Sequence, residues 1–213
     1  MSTRLLAPAA AAATAVAVAI ALSSSPAKPE AATSKPTPAA TSVLAGVPEH
    51  KGVLGARTAP VTVTEFLDLQ CPACAQLART ELPRLVANHV RTGHVKLRME
   101  LLHFLGPDSV IAADFAAGAA QQHRLWPFVL AFFSAQGAEN SGYVTPAFIR
   151  SAADAAGVDV RTADAYDGRA MLERANAAAT RLGITGTPTF AVQRDDRPPR
   201  VVTASGLEQA LAG

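Results

Sequence analysis

Two cysteines three positions apart, Cys71 and Cys74, are the residues of this chain best suited to covalent chemistry. They stand in the sequence Cys-Pro-Ala-Cys, directly after a run of β-branched and apolar residues that is typical of a strand. This order predicts that Cys71 caps a helix and that Pro72 takes its first position. The free N–H groups and the helix dipole would then favour the Cys71 thiolate. We therefore predict that Cys71 is the attacking sulfur in disulfide exchange and that Cys74 resolves the mixed disulfide.

A pair of cysteines at this spacing could instead form a structural disulfide or bind a metal ion. A structural disulfide across so small a ring would restrict the unfolded chain little and would add little stability. Zinc would need two further ligands. The five histidines of the chain show no paired spacing: His50, His89, His94, His103 and His123. Copper handling by the two cysteines with a histidine such as His103 stays open as an alternative, but we predict no metal and no cofactor.

One ionisable residue interrupts the apolar face of the strand that leads into the dithiol. Along residues 61–69, the odd positions carry apolar side chains except at Glu65. Burial would raise the pKa of this carboxyl group. We expect Glu65 to exchange a proton with Cys74 through water when the mixed disulfide is resolved. The alternative is a glutamate in a salt bridge or at a sheet edge, and Asp68, on the other strand face, receives no role.

The elements around the dithiol follow an α/β order. A strand over 61–69, a helix over 75–92 and a strand over 94–104 come first. Pro83 should kink that helix, because its ring removes a backbone donor. Helical patterns then dominate, at 109–124, 125–136, 146–156, 161–166 and 169–182. Among these, Trp126, Phe128, Phe132 and Phe133 are expected to form a helical core, and two strands, near 186–192 and 201–203, precede a last short helix.

The N-terminal part is typical of a leader followed by a linker. Arg4 precedes an uncharged stretch, 5–22, that is nearly long enough to span a bilayer. Residues 23–45 are rich in Pro, Ser and Ala and predict an extended linker. We therefore expect a signal peptide or membrane anchor at 1–22. The folded domain at 46–213 would lie outside the cytoplasm, secreted or tethered to the membrane.

The composition limits the class of protein. The chain has 213 residues, of which 49% are hydrophobic, and a formal net charge of +2. It is too apolar and too weakly charged to be disordered throughout. Its basic residues are scattered singly, which argues against a nucleic-acid partner. Two cysteines exclude a scaffold built on several disulfides, so packing must stabilise the fold.

Three segments, in this order, resemble the thioredoxin superfamily and in particular its DsbA-like thiol-disulfide oxidoreductases. They are Ala-Pro-Val-Thr-Val-Thr-Glu-Phe at 59–66, the Cys-Pro-Ala-Cys motif, and Gly-Thr-Pro-Thr-Phe at 186–190. The resemblance covers roughly 53–213. It implies an α/β thioredoxin-like fold, a central mixed sheet flanked by helices, with a helical domain inserted at about 108–182.

The resemblance also implies roles for residues outside the cysteines. In the family, the proline that matches Pro188 follows a cis peptide bond and packs beside the sulfurs. The backbone of Thr187 would then pair with an extended substrate. Pro72 and Ala73 tune the motif, and Ala73 stands where many oxidising members carry histidine, which suggests a milder oxidant. Without the resemblance, Pro188 could simply begin a strand.

The function implied by the resemblance is the exchange of a disulfide with cysteines of extracytoplasmic proteins, most simply as a disulfide-forming oxidase. A quinone-linked membrane partner would reoxidise the dithiol, and we expect a monomer. A reductase or isomerase would run the same chemistry in reverse and is the first alternative. A non-catalytic copper-handling or binding module is the second.

Overall fold

The computed structural model describes Met1 and residues 34–212. Apart from Met1, the expected leader or anchor at 1–22 therefore lies outside the described residues. The first part of the expected linker, 23–33, lies outside them too. Within the part of the chain that is described, no helix has the length and apolar character needed to cross a membrane.

One mixed sheet forms the centre of the described chain. Its strands are β1 (Glu49–His50), β2 (Val53–Leu54), β3 (Val61–Asp68), β4 (Val95–Leu102), β5 (Thr189–Arg194) and β6 (Arg200–Val202). Their order across the sheet is β1-β2-β4-β3-β5-β6. Strands β3 and β4 are parallel, and the other neighbours are antiparallel. The strand that leads into the dithiol, β3, therefore has a neighbour on both sides.

Eight α-helices surround this sheet within residues 34–212. They are α1 (Pro72–Thr80), α2 (Leu82–Leu85), α3 (Pro107–Gln121), α4 (Leu125–Ser134), α5 (Pro146–Ala156), α6 (Val160–Asp164), α7 (Arg169–Arg181) and α8 (Ala204–Ala212). Five of them, α3–α7, lie between β4 and β5 in the chain, and we call them the insert. The observed fold confirms the predicted α/β class with a helical insertion.

The two faces of the sheet are both buried. Val61, Val63 and Leu67 of β3 belong to the main hydrophobic core. Phe66, on the opposite face, packs in a smaller cluster that contains Ala175 of α7. Because the odd positions of β3 point into the main core, Glu65 is carried into it with them.

The insert has an aromatic core, as the sequence predicts. Trp126, Phe128 and Phe132 are at most 1% exposed. The rings of Phe132 and Phe148 meet edge to face, with centroids 5.0 Å apart. The indole Nε1 of Trp126 donates a hydrogen bond of 3.0 Å to the carbonyl oxygen of Gly52, which attaches α4 to the β1–β2 hairpin.

The expected helix over 75–92 is divided in the structure. Helix α1 already begins at Pro72 and ends at Thr80, and α2 spans only Leu82–Leu85 before a π-helical stretch over Val86–Val90. Pro83 lies in the first turn of α2, where its missing N–H costs nothing, but α1 cannot continue through it. Strands β1 and β2 were not predicted, because two residues are too few to show a periodicity.

The folded part begins earlier than residue 46, the expected boundary. Within the expected linker, Pro38–Leu44 form a 3-10 helix, and Leu44 is buried in the main core. The backbone N–H of Thr37 donates to Ser134 Oγ at 3.2 Å. The guanidinium group of Arg91 donates to the carbonyl oxygens of Val43 and Ala45. The composition of residues 34–45 is typical of a linker, but burial of Leu44 in the main core attaches this segment to the domain.

Candidate active site

The two cysteines lie at the junction between β3 and α1. Cys71 has extended backbone angles, φ −72° and ψ 114°, and caps the helix, with Pro72 at its first turn. The backbone N–H of Cys74 donates to Cys71 Sγ at 3.2 Å. This is the predicted local geometry, in which a free N–H at the start of the helix points at the first sulfur.

The two sulfurs differ in their surroundings. Both cysteines are free thiols, Cys71 being 5% exposed and Cys74 fully buried. Cys71 Sγ also lies 3.5 Å from the carbonyl oxygen of Thr187. The peptide bond between Thr187 and Pro188 is cis, as the resemblance implies. Two segments far apart in the sequence, 71–74 and 187–188, therefore meet at one sulfur.

The pKa values of the two thiols are shifted in opposite directions. A hydrogen bond from the Cys74 thiol lowers the pKa of Cys71 to about 6, with help from Thr187 and the backbone N–H groups of Cys74 and Ala73. Burial opposes this shift without cancelling it. The pKa of Cys74 is raised, first by burial and then by its interaction with Cys71. These shifts favour the thiolate form of Cys71 near neutral pH and the thiol form of Cys74.

Glu65 lies inside the core beside the dithiol. Its side chain is 7% exposed, and its neighbours across the sheet are Met99 on β4 and Phe190 on β5. Burial, and then the negative charge of Cys71, raise the pKa of Glu65 to about 8. It makes no salt bridge with the described residues. The salt-bridge and edge alternatives are therefore wrong: Glu65 is on a central strand, where burial favours its protonated form.

The family model described as Thioredoxin matches residues 49–204, which includes the sheet, the dithiol and the insert. The chain belongs to this thioredoxin family. The matched region includes both the cis peptide bond before Pro188 and the helix that begins after Cys71.

Several of the proteins similar to this chain are named for disulfide bond formation. The chain is 36% identical over 96 residues to a probable disulfide bond formation protein D of Bacillus anthracis, covering 43% of each chain. It is 31% identical over 110 residues to disulfide bond formation protein D of Bacillus subtilis, covering 50% of each. The matched region thus spans half or less of these curated relatives. The crystal structure of oxidised BdbD from Bacillus subtilis is similar with a TM-score of 0.65 and 25% identity, over 79% of this chain and 97% of that one.

The turn that carries Cys71 in this thioredoxin-family fold is held by buried polar groups that sequence reasoning missed. The carboxylate of Asp68, fully buried, accepts hydrogen bonds from the hydroxyl of Ser109 at 2.6 Å and from the N–H of Gln70 at 2.9 Å. Its second oxygen accepts from the N–H groups of Phe104 and Leu105 at 3.0 and 3.1 Å. A charged residue among apolar ones three positions before Cys71 was the available signal.

His103 is not brought to the dithiol as a third ligand. It lines a groove of about 790 Å³ between helices of the insert. Among the residues that the structure describes, no three His, Cys, Asp or Glu side chains are grouped so that they could hold a metal ion. The copper alternative thus has no ligand set in residues 34–212.

Proposed function

We propose that this chain is an exported thiol-disulfide oxidoreductase that transfers its Cys71–Cys74 disulfide to cysteines of extracytoplasmic proteins. The observation that carries the proposal is the asymmetry of the dithiol. Cys71 lies at the helix start with a lowered pKa, whereas Cys74 is fully buried with a raised one. The names of the relatives support disulfide formation as the direction of transfer.

Substrate oxidation would proceed by two exchange steps. A substrate thiolate attacks Cys71 Sγ, a mixed disulfide forms, and Cys74 leaves with the electron pair of the broken S–S bond. A second substrate thiolate then attacks the substrate sulfur of the mixed disulfide and releases Cys71. The substrate loses two electrons and gains a disulfide, and the protein becomes a dithiol. The lowered pKa of Cys71 makes it the better leaving group in the second step.

Glu65 would give a proton to Cys74 during substrate oxidation and take it back during reoxidation. Because its pKa is about 8, Glu65 carries a proton at neutral pH and can give it, through water, to the Cys74 thiolate that leaves in the first step. During reoxidation the direction reverses. Cys71 attacks a disulfide of the oxidising partner, and its negative charge, which helped to raise the pKa of Glu65, is lost in the mixed disulfide. Glu65 then releases its proton to water and takes the Cys74 proton, and Cys74 attacks Cys71 Sγ to resolve the mixed disulfide.

The backbone beside Cys71 would hold the substrate. Thr187 and Pro188 form the loop next to Cys71 Sγ, and an extended substrate segment could pair there by strand addition. This role rests on the family resemblance. So does the proposal that a membrane partner passes the two electrons of the dithiol on to a quinone. The uncharged stretch at 5–22 supports export and would keep the protein near such a partner.

Trapping in cells tests the mechanism directly. Cys74→Ser should accumulate mixed disulfides on Cys71, visible as larger species that disappear on reduction, and mass spectrometry would identify the proteins in them. Cys71→Ser is the matched control and should trap none. If the Cys74→Ser variant forms no mixed disulfides, the exchange mechanism is wrong.

Two measurements in vitro separate oxidase from reductase or isomerase. The oxidised protein should restore disulfides, and activity, to a reduced and unfolded substrate. Equilibration with glutathione should give a potential more oxidising than that of thioredoxin, about −270 mV. Because the Ala73 side chain adds no charge or donor next to Cys71, the potential should be less oxidising than the value of about −120 mV for DsbA. A potential near that of thioredoxin would favour the reductase.

A further inference from the structure

The turn that carries Cys71 is bound to the insert at each of its four residues, 68–71. Ser109 donates to the carboxylate of Asp68 at 2.6 Å. The amide of Gln70 donates to the hydroxyl of Tyr143 at 2.9 Å and accepts from the N–H of Asn140 at 3.0 Å. The remaining two residues, Leu69 and Cys71, are bound through their carbonyl oxygens, and one side chain reaches both.

That side chain is Gln136, which lies two residues beyond the end of α4. Its Nε2 donates to the carbonyl oxygen of Leu69 at 2.8 Å and to that of Cys71 at 3.3 Å. The Cys71 carbonyl also accepts the first helical hydrogen bond, from the N–H of Ala75 at 3.2 Å. The two carbonyls flank Gln70, so a single amide group from the insert holds both ends of the peptide segment that leads into Cys71.

We propose that Gln136 is a positioning residue of the dithiol: by holding the carbonyls of Leu69 and Cys71, it keeps Cys71 Sγ within reach of the N–H groups at the start of α1. This inference rests on the proposed function. If Gln136 acts in this way, the insert influences the reactivity of Cys71, because it holds the backbone of Cys71 in place. Gln136 does not touch the sulfur and acts through the backbone alone.

The physical reason is the sensitivity of hydrogen bonds to distance and angle. The bond from Cys74 N–H to Cys71 Sγ is 3.2 Å long, and it weakens if the Cys71 backbone rotates away from the helix start. A weaker bond destabilises the thiolate relative to the thiol, which raises the pKa of Cys71. The reduced protein is then favoured less, and the protein becomes a weaker oxidant.

The test replaces Gln136 without shortening its side chain. Gln136→Met keeps the length but removes both donors, and Gln136→Glu keeps the shape but offers a carboxylate to the two carbonyls. We expect the equilibrium constant for reduction by glutathione to fall about fivefold in Gln136→Met, which corresponds to loss of one ordinary hydrogen bond. The midpoint of the thiolate absorbance at 240 nm should move upward in the same variant. Gln136→Glu should shift both quantities in the same direction.

Ser134→Ala is the matched control. Ser134 lies at the same end of α4 and makes hydrogen bonds with Thr37 and Ala131, but none with residues 68–71. It should lower the unfolding midpoint of the oxidised protein while leaving the glutathione constant and the thiolate midpoint unchanged. These two readouts separate positioning from general stability.

The outcomes are distinct. If both Gln136 variants fold and keep the wild-type glutathione constant and thiolate midpoint, the positioning role is wrong. If Ser134→Ala shifts them as much as Gln136→Met does, the effect belongs to the α4 end in general and the role is again wrong. Failure of the proposed function looks different, because the Cys74→Ser variant, with Gln136 unchanged, would then trap no mixed disulfide with a substrate. Should Gln136→Met not fold, Gln136→Leu, which also lacks both donors and adds no charge, supplies the same two readouts.

Discussion

The backbone N–H of Cys74 points at Cys71 Sγ from 3.2 Å, while the Cys74 sulfur itself is fully buried. The second cysteine therefore contributes to the reactivity of the first before it takes part in any exchange. Its N–H and its thiol both stabilise a negative charge on Cys71, and burial keeps its own sulfur protonated. This division of roles follows from the position of each cysteine in the first helical turn.

Titration of the reduced protein should find one thiolate with a pKa near 6. Because the Cys74 thiol is the largest cause of that value, Cys74→Ala should raise the pKa of Cys71 towards the ordinary value near 9. Cys74→Ser retains a donor and should raise it less. Absorbance at 240 nm measures both, and Cys71→Ser should abolish the transition. Equal midpoints in Cys74→Ala and wild type would contradict this account.

Glu65 should make the oxidised protein less stable as the pH rises. Burial, the larger cause of its raised pKa, persists when the cysteines form a disulfide, whereas the negative charge of Cys71 is then absent. Between the ordinary value of 4.5 and the raised value, the folded state therefore binds more protons than the unfolded state. The free energy of unfolding then falls with rising pH. Oxidised Glu65→Gln should lack this fall. Its stability relative to wild type should improve between pH 4 and pH 9 by at most about 4.5 kcal/mol, the value for a folded-state pKa of 8.

The comparison of the two oxidised proteins isolates Glu65. Glu49 and Glu100, whose pKa values are also raised by burial, titrate in wild type and variant alike and cancel in the difference. The cysteines form a disulfide and do not titrate. Urea unfolding at a series of pH values gives the difference, and a constant value from pH 4 to pH 9 would show that folding does not raise the pKa of Glu65.

The local chemistry could be predicted from the sequence because it depends on neighbours in the chain. A strand, a cysteine and a proline in succession define the helix start at Cys71. Glu65 was also predictable, since strand periodicity alone assigns it to the apolar face. The meeting of Cys71 with Thr187 could not be derived from periodicity, because the two residues are separated by the whole insert; only the family resemblance implied it.

What sequence reasoning missed are the polar contacts made between distant segments. Asp68 stands out in the sequence only as a charge among apolar residues, which does not reveal its partner, because Ser109 belongs to a helix predicted independently. Nothing in the sequence distinguishes Gln136 from other polar residues near helix ends, because its contact with the Cys71 carbonyl is made only in the folded chain. The start of the folded part is hard to predict for a related reason, since Leu44 lies in a short apolar patch within a segment of linker-like composition.

Asp68 should be the most sensitive polar residue near the dithiol. Its two oxygens accept four hydrogen bonds, and Asp68→Asn would turn an NH₂ group towards some of the same donors. We expect a loss of about 3 kcal/mol in the free energy of unfolding of the oxidised protein. Ser109→Ala removes only one of the four donors and should cost about 1 to 2 kcal/mol.

Urea unfolding of the double variant completes the comparison. Because the two residues touch, Asp68→Asn together with Ser109→Ala should cost less than the sum of the single changes. Strict additivity would mean that the bond between Ser109 and Asp68 contributes nothing to stability, against the short distance observed.

Gly118 of α3 should tolerate no side chain, because α6 crosses it closely. A Cβ atom there would overlap the backbone of Ala163 and lie 2.8 Å from its Cα. Backbone cannot move aside as a flexible side chain can, so Gly118→Ala should destabilise the oxidised protein by about 1 to 3 kcal/mol. Gly206→Ala in α8 is the matched control, since its nearest atom is Val202 Cβ at 3.7 Å. Alanine favours a helix over glycine by up to about 1 kcal/mol, so the control should be neutral or stabilised. Urea unfolding measures both, and a Gly118→Ala variant as stable as wild type would show that α3 and α6 do not pack this closely.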